Sequence, residues 1–299
     1  MNQELNSASQ WRIEFAKELV RYYTPQEHIK MIVLGGSPAE NRSDSYSDLD
    51  IVLYWDKVNV PWLEEIPLKE LRCRRELFRE TVKDGAYLES YYFDSLKADL
   101  AHLTMNVWEE LTDDVIKRYD TDPAKHETIG GFLTSVPLQD TNLFEQWKER
   151  LSVYPDELAH KVVKKYAVFY HRGVLQHQGL DRDDILFFYH GLCRMLKNLL
   201  GVLAGLNKVY LSPNEPRWTE FHLSRMPIRP EHAWERMKSV FEVDRSKAAE
   251  ILEGLIDDVF DLVREHMPSV DVSTSRHRFN LTVKPTPSKP QLIKTDADS

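Results

Sequence analysis

The chain has 299 residues, of which 42% are hydrophobic and 29% charged, as in ordinary soluble globular proteins, and no apolar run reaches the roughly 20 residues that cross a bilayer. Its formal net charge of -9 argues against a nucleic-acid partner bound through phosphates and suits a cationic small substrate. Two cysteines, Cys73 and Cys193, imply no disulfide framework, and the first ten residues carry no signal-peptide pattern, so we expect a cytoplasmic protein with no membrane contact.

The first 140 residues are predicted to form one α/β domain. Apolar residues at helical spacing predict a first helix whose buried face consists of Trp11, Phe15, Leu19 and Tyr22. The pattern then predicts a strand at 29–34, a polar loop at 38–47, a strand at 48–55, a helix at 68–82, strands at 87–93 and 97–105, and a helix at 107–119. This order is typical of an α+β domain with a mixed sheet.

From residue 142 onward the pattern becomes almost wholly helical, so residues 141–270 are predicted to form a second, helical domain. The predicted helices are 143–153, 156–177, 184–206, 231–241 and 245–266. Residues 271–299 are rich in Ser, Thr, Pro and Lys, a composition typical of a mobile C-terminal tail. The oligomeric state is left open.

Two carboxylates on the second predicted strand carry the chemistry. Asp48 and Asp50 are two residues apart, and the period of a strand points both side chains to one face. Two like charges this close repel each other unless a cation lies between them, and Mg²⁺ suits a site of carboxylates and phosphate oxygens. Before them, Gly36 lets the backbone approach a phosphate, and Ser37 adds a hydroxyl donor.

A third carboxylate would complete a site for two Mg²⁺ ions, one activating a hydroxyl and one binding a triphosphate. Asp99 is the candidate, because it lies on a predicted strand between apolar residues. Glu89 and Asp94 compete for this place, and Asp99 could instead be a buried acid that is paired with a basic neighbour. Asp99 or Glu89 could also be the base that deprotonates the acceptor hydroxyl.

These residues carry a resemblance to a known family. Leu34-Gly35-Gly36-Ser37, ten residues, and then Asp48-Leu49-Asp50-Ile51 resemble the signature of the DNA polymerase β-like nucleotidyltransferase superfamily. The resemblance covers about the first 110 residues. A short head followed by a helical domain is similar to the aminoglycoside and lincosamide nucleotidyltransferases. Residues 206–213, with Arg217-Trp218 after them, resemble an uncharacterised helical domain that is often attached to such heads.

The resemblance implies a polymerase β-like mixed-sheet head and a C-terminal helical bundle. In that scheme Gly35, Gly36 and Ser37 bind the nucleotide, and the ligands of two Mg²⁺ ions, which also carry the catalysis, are Asp48, Asp50 and Asp99. The implied reaction moves a nucleoside monophosphate, with AMP as the expected group, from ATP or another nucleoside triphosphate to a hydroxyl of a small, aminoglycoside-like molecule. The sequence does not separate ATP from other triphosphates.

Two basic residues are further candidates for binding the nucleotide. Arg42, in the loop between the two parts of the signature, would contact phosphates, although a loop arginine can simply be solvated. Lys197 lies on a largely apolar helix and therefore needs a partner. That partner is either an internal acid or the triphosphate, as the resembling enzymes place a lysine of their helical domain.

Two other functions remain open at this point. The same head could belong to a regulator, like those of toxin–antitoxin pairs, that nucleotidylates a protein or an RNA, although the net charge disfavours RNA. The chain could also be a nucleotide-binding module without turnover. Intact acids at positions 48, 50 and 99 argue against that module, because buried like charges without a cation are costly.

Overall fold

A computed structural model describes residues 6–65, 75–82 and 86–282 of the chain. By its packing the chain divides into two compact units, one made of residues 1–161 with 208–212 and the other of residues 162–207 with 213–299. The domain division at residue 140 rests on a change in sequence pattern and not on packing, and it stays a prediction. No helix in the described ranges is both long and apolar enough to span a membrane.

The first unit is built around a mixed sheet, which confirms the α+β class. Its elements in chain order are α1 (Ser7–Val20), β1 (Ile29–Leu34), α2 (Gly36–Ala39), β2 (Leu49–Trp55), α3 (Val60–Glu64), β3 (Arg75–Val82), β4 (Ala86–Phe93), β5 (Leu96–Thr104), α4 (Met105–Ile116), α5 (Pro123–Thr134), β6 (Val136–Gln139), α6 (Thr141–Ser152) and the start of α7 (Asp156–Tyr166). The six strands lie in the order β3-β4-β5-β2-β1-β6. Strands β2 and β5 run parallel, and the other neighbours run antiparallel.

The two faces of β2 have different surroundings, and this difference leaves one end of the strand open. Leu49, Ile51 and Leu53 are buried in the core that includes α1. On the other face, Tyr54 packs edge-on against Trp108 of α4. Asp50 lies on the same face as Tyr54, because they are four residues apart, but it is exposed. The polar residues of β2 therefore lie at the end of the strand that begins next to the loop.

Helix α1 buries only part of the predicted face, with Leu19 buried and Phe15 half-buried against the core. Its buried residues include Arg12, Ala16 and Leu19, whereas the expected core residues Trp11 and Tyr22 are 43% and 41% exposed. The aromatic pattern is misleading here because the side chain of Arg12, a residue with no apolar signal, is buried. Asn6 begins this helix by accepting a hydrogen bond from the backbone N–H of Ser9, as an N-cap should.

The predicted helix at 68–82 is wrong over its described part. Residues 75–82 form β3, which pairs antiparallel with β4 from Arg75 opposite Tyr92 to Val82 opposite Ala86. The charged residues of this segment favour a helix in the sequence. A segment with a weak local preference, however, takes the secondary structure that pairing with a neighbouring strand stabilises. In the sequence, the dipeptide Asp84-Gly85 is a hairpin signal, and it favours a strand over a helix for the residues before it. Residues 68–74 lie outside the described ranges.

The second unit is helical. Its elements are the end of α7, a π-helix (Leu175–Leu180), α8 (Ile185–Leu206), α9 (Thr219–Ser224), α10 (Ala233–Ser239), α11 (Arg245–His266) and α12 (Ser273–Phe279). The bounds predicted for α11 are confirmed, and α8 begins one residue later than predicted. Helix α12 lies inside the predicted tail, and residues 283–299 of that tail lie outside the described ranges.

The single helix predicted over 156–177 is wrong beyond Tyr166. The α-helix ends there, and further along the chain Gly173 adopts a left-handed conformation with φ +79°, which a continuous α-helix cannot contain. The backbone of the interruption bonds elsewhere: the N–H of Arg172 donates to the carbonyl of Phe279, and the N–H of Gly173 donates to the carboxylate of Glu253. Tertiary partners thus replace the hydrogen bonds of a continuous helix.

Candidate metal centre

A glycine turn lies directly against the carboxylate of Asp50. After β1 the chain turns at Gly35 and Gly36, and the backbone N–H of Gly35 donates to the carbonyl of Asp50 over 2.8 Å. Gly36 has φ +66°, and a Cβ atom at this position would stand 2.5 Å from Oδ2 of Asp50. Glycine is therefore required at position 36 for two reasons, the left-handed backbone and the space taken by the carboxylate.

The short distance between Gly36 and the Asp50 carboxylate predicts the effect of a side chain at position 36. Replacing Gly36 with alanine should lower the free energy of unfolding by about 1–3 kcal/mol and displace the Asp50 carboxylate, weakening divalent-metal binding about 10-fold or more. Chemical denaturation and titration with Mn²⁺ measure the two effects. Gly35→Ala is the matched variant: its Cβ would meet only the Asp50 carbonyl at 3.8 Å, so its loss of stability should be smaller. Equal losses in the two variants would contradict the steric argument.

Three carboxylates converge beside this turn. Asp50 on β2 and Asp99 on β5 are direct partners in the parallel pairing, so their side chains leave the same face of the sheet side by side. Asp48 precedes β2, and one oxygen from each of Asp48, Asp50 and Asp99 lies within 4.8 Å of the others. Asp50 is exposed and the other two are half-buried. A set of carboxylate oxygens of this kind fits a hard divalent cation, so the cluster can hold a metal ion.

The carboxylate of Asp99 already accepts two hydrogen bonds. The Ser90 hydroxyl on β4 donates to Oδ1 over 2.5 Å, and the Lys97 ammonium donates to Oδ2 over 2.5 Å. The hydrogen bond to Asp99 raises the pKa of Lys97; burial opposes this shift, and the charges of Asp99, Asp48 and Asp50 add to it. Lys97 thus lies in the electrostatic field of all three acids. Sequence analysis missed both Ser90 and Lys97, although the two-residue spacing of Lys97 and Asp99 signals a shared face.

A second cation lies near the first acid. Arg12 of α1 is buried, and its guanidinium donates to the carbonyl of Ser47 over 3.0 Å and to the carbonyl of Ala8 over 3.0 Å. Burial lowers the pKa of Arg12, and the charges of Asp44 and Asp48 act against that shift. Arg12 therefore holds the backbone immediately before Asp48 and offsets part of the acidic charge there.

The competitors of Asp99 are placed elsewhere. Glu89 pairs opposite Leu100, so its side chain lies on the core face and not beside Asp99. Its carboxylate is 1% exposed and accepts from His102 Nε2 over 2.9 Å and from the hydroxyls of Tyr23 and Tyr91 over 2.9 and 2.5 Å. Asp94 lies in the turn between β4 and β5 and belongs to no such cluster within the described ranges. Glu89 and Asp94 therefore lie outside the cluster that Asp48, Asp50 and Asp99 form within the described ranges.

The buried carboxylate of Glu89 is held in its charged form by hydrogen bonds. Burial by itself would raise the pKa of Glu89, but the hydrogen bonds from His102, Tyr91 and Tyr23 lower it below its usual range. The indole N–H of Trp55 donates to His102 Nδ1 over 3.2 Å. Since that nitrogen accepts, we assign the ring hydrogen to Nε2, which donates it to Glu89.

The remaining predicted residues have varied surroundings. The Ser37 hydroxyl lies beside the glycine turn, 3.4 Å from the Ser43 hydroxyl. The guanidinium of Arg42 forms an ion pair with Glu40 in the same loop. Lys197 is half-buried on α8 of the second unit, and within the described ranges no internal acid pairs with it. The phosphate contacts predicted for Arg42 and Lys197 stay predictions.

Comparison with known proteins identifies no family for the chain. No family model matches it, and neither does any curated protein. Among solved structures it is similar to one described as a nucleotidyltransferase-like protein from Exiguobacterium sibiricum 255-15. The two are 10% identical, the match covers 89% of this chain and 77% of that chain, and the TM-score is 0.39. At this level of likeness, function must be argued from the site itself.

Proposed function

We propose that the chain is a metal-dependent nucleotidyltransferase that moves a nucleoside monophosphate from a nucleoside triphosphate to a hydroxyl group. The observation that carries the proposal is the convergence of Asp48, Asp50 and Asp99 beside the Gly36 turn. Three carboxylates close together on one face of the sheet repel one another, and a bound cation would relieve that repulsion. A turn without a Cβ atom beside that cation leaves room for a phosphate chain.

Each residue has a definite part in the proposed reaction. Asp48, Asp50 and Asp99 would hold the divalent metal, expected as two Mg²⁺ ions, and the metal would supply charge neutralisation on the triphosphate. The turn at Gly35 and Gly36, with the Ser37 hydroxyl, positions the phosphates. The acceptor oxygen attacks the α-phosphorus, the bond to the β-phosphate breaks, and pyrophosphate leaves. With Glu89 on the opposite face, Asp99 is the carboxylate that accepts the proton of the acceptor hydroxyl.

For the two substrates we propose ATP as the donor and a small polyhydroxylated molecule as the acceptor. The net charge of -9 favours an acceptor with cationic groups, such as an aminoglycoside-like compound, over a polyanion. Catalysis in this scheme comes from positioning and charge neutralisation, as is usual for transfers of phosphoryl groups.

The proposal is tested with each of the four nucleoside triphosphates, labelled at the α-phosphate. The protein is incubated with Mg²⁺, one labelled nucleotide and pools of metabolites or aminocyclitol antibiotics, and label transfer and pyrophosphate release are followed. We expect label in a small molecule, with equal release of pyrophosphate. Label in protein or RNA would favour the regulator instead. Nucleotide binding with no label transfer to any acceptor in the pools would indicate a binding module without turnover and would contradict the proposal.

A further inference from the structure

One side of α1 contacts the loop that precedes the first acid of the cluster. Asn6, Ser9 and Arg12 follow one another at three-residue spacing, which places them on one side of the helix. Ser9 and Arg12 are 0% and 3% exposed, so both polar side chains need partners inside the protein. Partners of all three residues lie in residues 41–47, between the glycine turn and β2.

These contacts hold the loop in its middle and at its end. The side-chain amide of Asn6 donates to the carbonyl of Ser43 over 3.3 Å, and the backbone N–H of Ser43 donates to the Ser9 hydroxyl over 3.1 Å. At the end of the loop, Nε of Arg12 donates to the carbonyl of Ser47 over 3.0 Å. The loop is therefore bonded to α1 along the segment that leads into the acid cluster.

The contact made by Arg12 is the one nearest to Asp48. Nη1 of Arg12 donates to the carbonyl of Ala8 over 3.0 Å, so the guanidinium joins its own helix to the residue directly before Asp48. A planar guanidinium keeps its donors in a fixed relation, which favours a defined position of the group it binds. A ligand whose backbone is already held loses little conformational freedom when a cation binds, and such preorganisation strengthens binding.

We propose that Arg12 is a positioning residue for the metal centre. Through the carbonyl of Ser47 it holds Asp48 in the place that a divalent cation requires, and it does so before the cation binds. The inference rests on the proposed function, which supplies the reason for a metal at this site. Arg12 acts through the backbone and needs no contact with the metal or the nucleotide. Its removal should weaken cation binding and leave the reaction at saturating cation largely intact.

Position and charge predict opposite effects for this residue. Arg12 lies in the electrostatic field of Asp48, so by charge alone its guanidinium repels a cation bound there, and its removal should tighten cation binding. If the hydrogen bond to Ser47 dominates, the same change should weaken binding. An arginine that only stabilised the fold would leave the affinity of the folded protein for the cation unchanged.

Mn²⁺ binding to the full chain distinguishes these cases. Free Mn²⁺ is followed by electron paramagnetic resonance, at a temperature below the melting transition of every variant. We expect the dissociation constant to rise about 10-fold in Arg12→Met. Ser9→Ala removes the acceptor for the loop without changing any charge, and its dissociation constant should rise about 3-fold. Lys17→Met is the matched control, because it removes a positive charge from the exposed side of α1; its dissociation constant should change by less than about 2-fold.

Nucleotidyl transfer separates this inference from the proposed function. At saturating Mn²⁺ the rate of Arg12→Met should recover to within about 3-fold of the wild type, whereas Asp48→Asn should stay inactive. An unchanged or lower dissociation constant in folded Arg12→Met, or a rate that stays far below the wild type at saturating Mn²⁺, would overturn the inference. Transfer by the wild type would then leave the proposed function standing.

Two further outcomes are decisive. A wild-type protein that neither binds Mn²⁺ nor transfers label would remove both the inference and the proposed function. If Arg12→Met does not fold, Ser9→Ala takes its place, and an unchanged dissociation constant in that variant would overturn the inference.

Discussion

Asp50→Asn should lower metal-dependent nucleotidyl transfer by about 1,000-fold or more, which corresponds to about 4 kcal/mol of lost transition-state stabilisation. Asp50 is central to the cluster: it is the direct pairing partner of Asp99, and its Oδ2 lies against the Gly36 turn. An amide has the same shape as a carboxylate but no charge, so the variant would lose one of the three negative charges that would hold the metal. Label transfer from nucleotide labelled at the α-phosphate measures the effect.

Asp50→Asn should lose activity without losing stability. Three acids that share one face repel one another, and replacing one with a neutral amide removes part of that repulsion. We therefore expect the melting temperature of Asp50→Asn, measured without metal, to equal or exceed that of the wild type. Added Mn²⁺ should raise the melting temperature of the wild type and leave that of the variant nearly unchanged, since an ion stabilises only the state that binds it.

Asp56→Asn provides the matched control. This residue follows the last position of β2 and pairs with Lys30 on the surface, so its substitution changes the same formal charge outside the cluster. Loss of such an exposed pair costs at most about 1 kcal/mol, and transfer should stay close to that of the wild type. Transfer that survives in Asp50→Asn, or that falls to the same extent in Asp56→Asn, would remove Asp50 from the proposed chemistry.

The acid pair near the turn could be predicted from the sequence, because its signal is local. The spacing of Asp48 and Asp50 places both side chains on one face of a strand whatever the neighbouring strands do. The position of Asp99 depends in addition on the parallel pairing of β2 with β5, which no local pattern reveals. The proximity of the three acids was therefore a hypothesis at the level of sequence, and the register of two distant strands supports it.

The sequence alone does not separate Asp99 from Glu89 as the third acid of the cluster. Both are acids in predicted strands, and a shift of one residue in register moves every side chain to the other face. Only the pairing of Ser90 with Asp99 and of Glu89 with Leu100 separates them. Once the register is known, Glu89 belongs to the core with His102, and Asp99 belongs to the open face.

The missed elements have similar causes. Strand β6 has four residues and contains Pro137, which suits an edge strand that pairs only with β1 but weakens any strand signal. Helix α5 contains Gly130 and Gly131, residues that normally argue against a helix. At Gly130 the reason is packing, because a Cβ atom would clash with the backbone carbonyl oxygen of Tyr210. Long-range contacts of this kind have no local sequence signal.

The second large effect concerns stability. Glu89→Leu should lower the free energy of unfolding by about 3–5 kcal/mol, because it leaves three buried donors without their acceptor. Those donors are Nε2–H of His102 and the hydroxyls of Tyr23 and Tyr91. Glu89→Gln keeps the shape and one acceptor oxygen, so its loss at pH 7 should be smaller, about 1–2 kcal/mol. Urea denaturation measures both, and exposed Glu109→Gln should change stability by less than about 0.5 kcal/mol.

The pH dependence of Glu89→Gln separates the charge of Glu89 from its packing. The folded-state pKa of Glu89 is below the usual value of 4.5, because the hydrogen bonds from His102, Tyr91 and Tyr23 outweigh burial. The stabilisation that this charge provides is therefore complete above about pH 4.5 and is lost as the pH falls through the lower, folded-state value. Glutamine has no such dependence, so the stability gap between wild type and Glu89→Gln should narrow in acid. A gap that stays constant from pH 7 down to about pH 3 would mean that folding does not lower the pKa of Glu89, and a gap that widens in acid would mean that the folded core holds Glu89 in its protonated form.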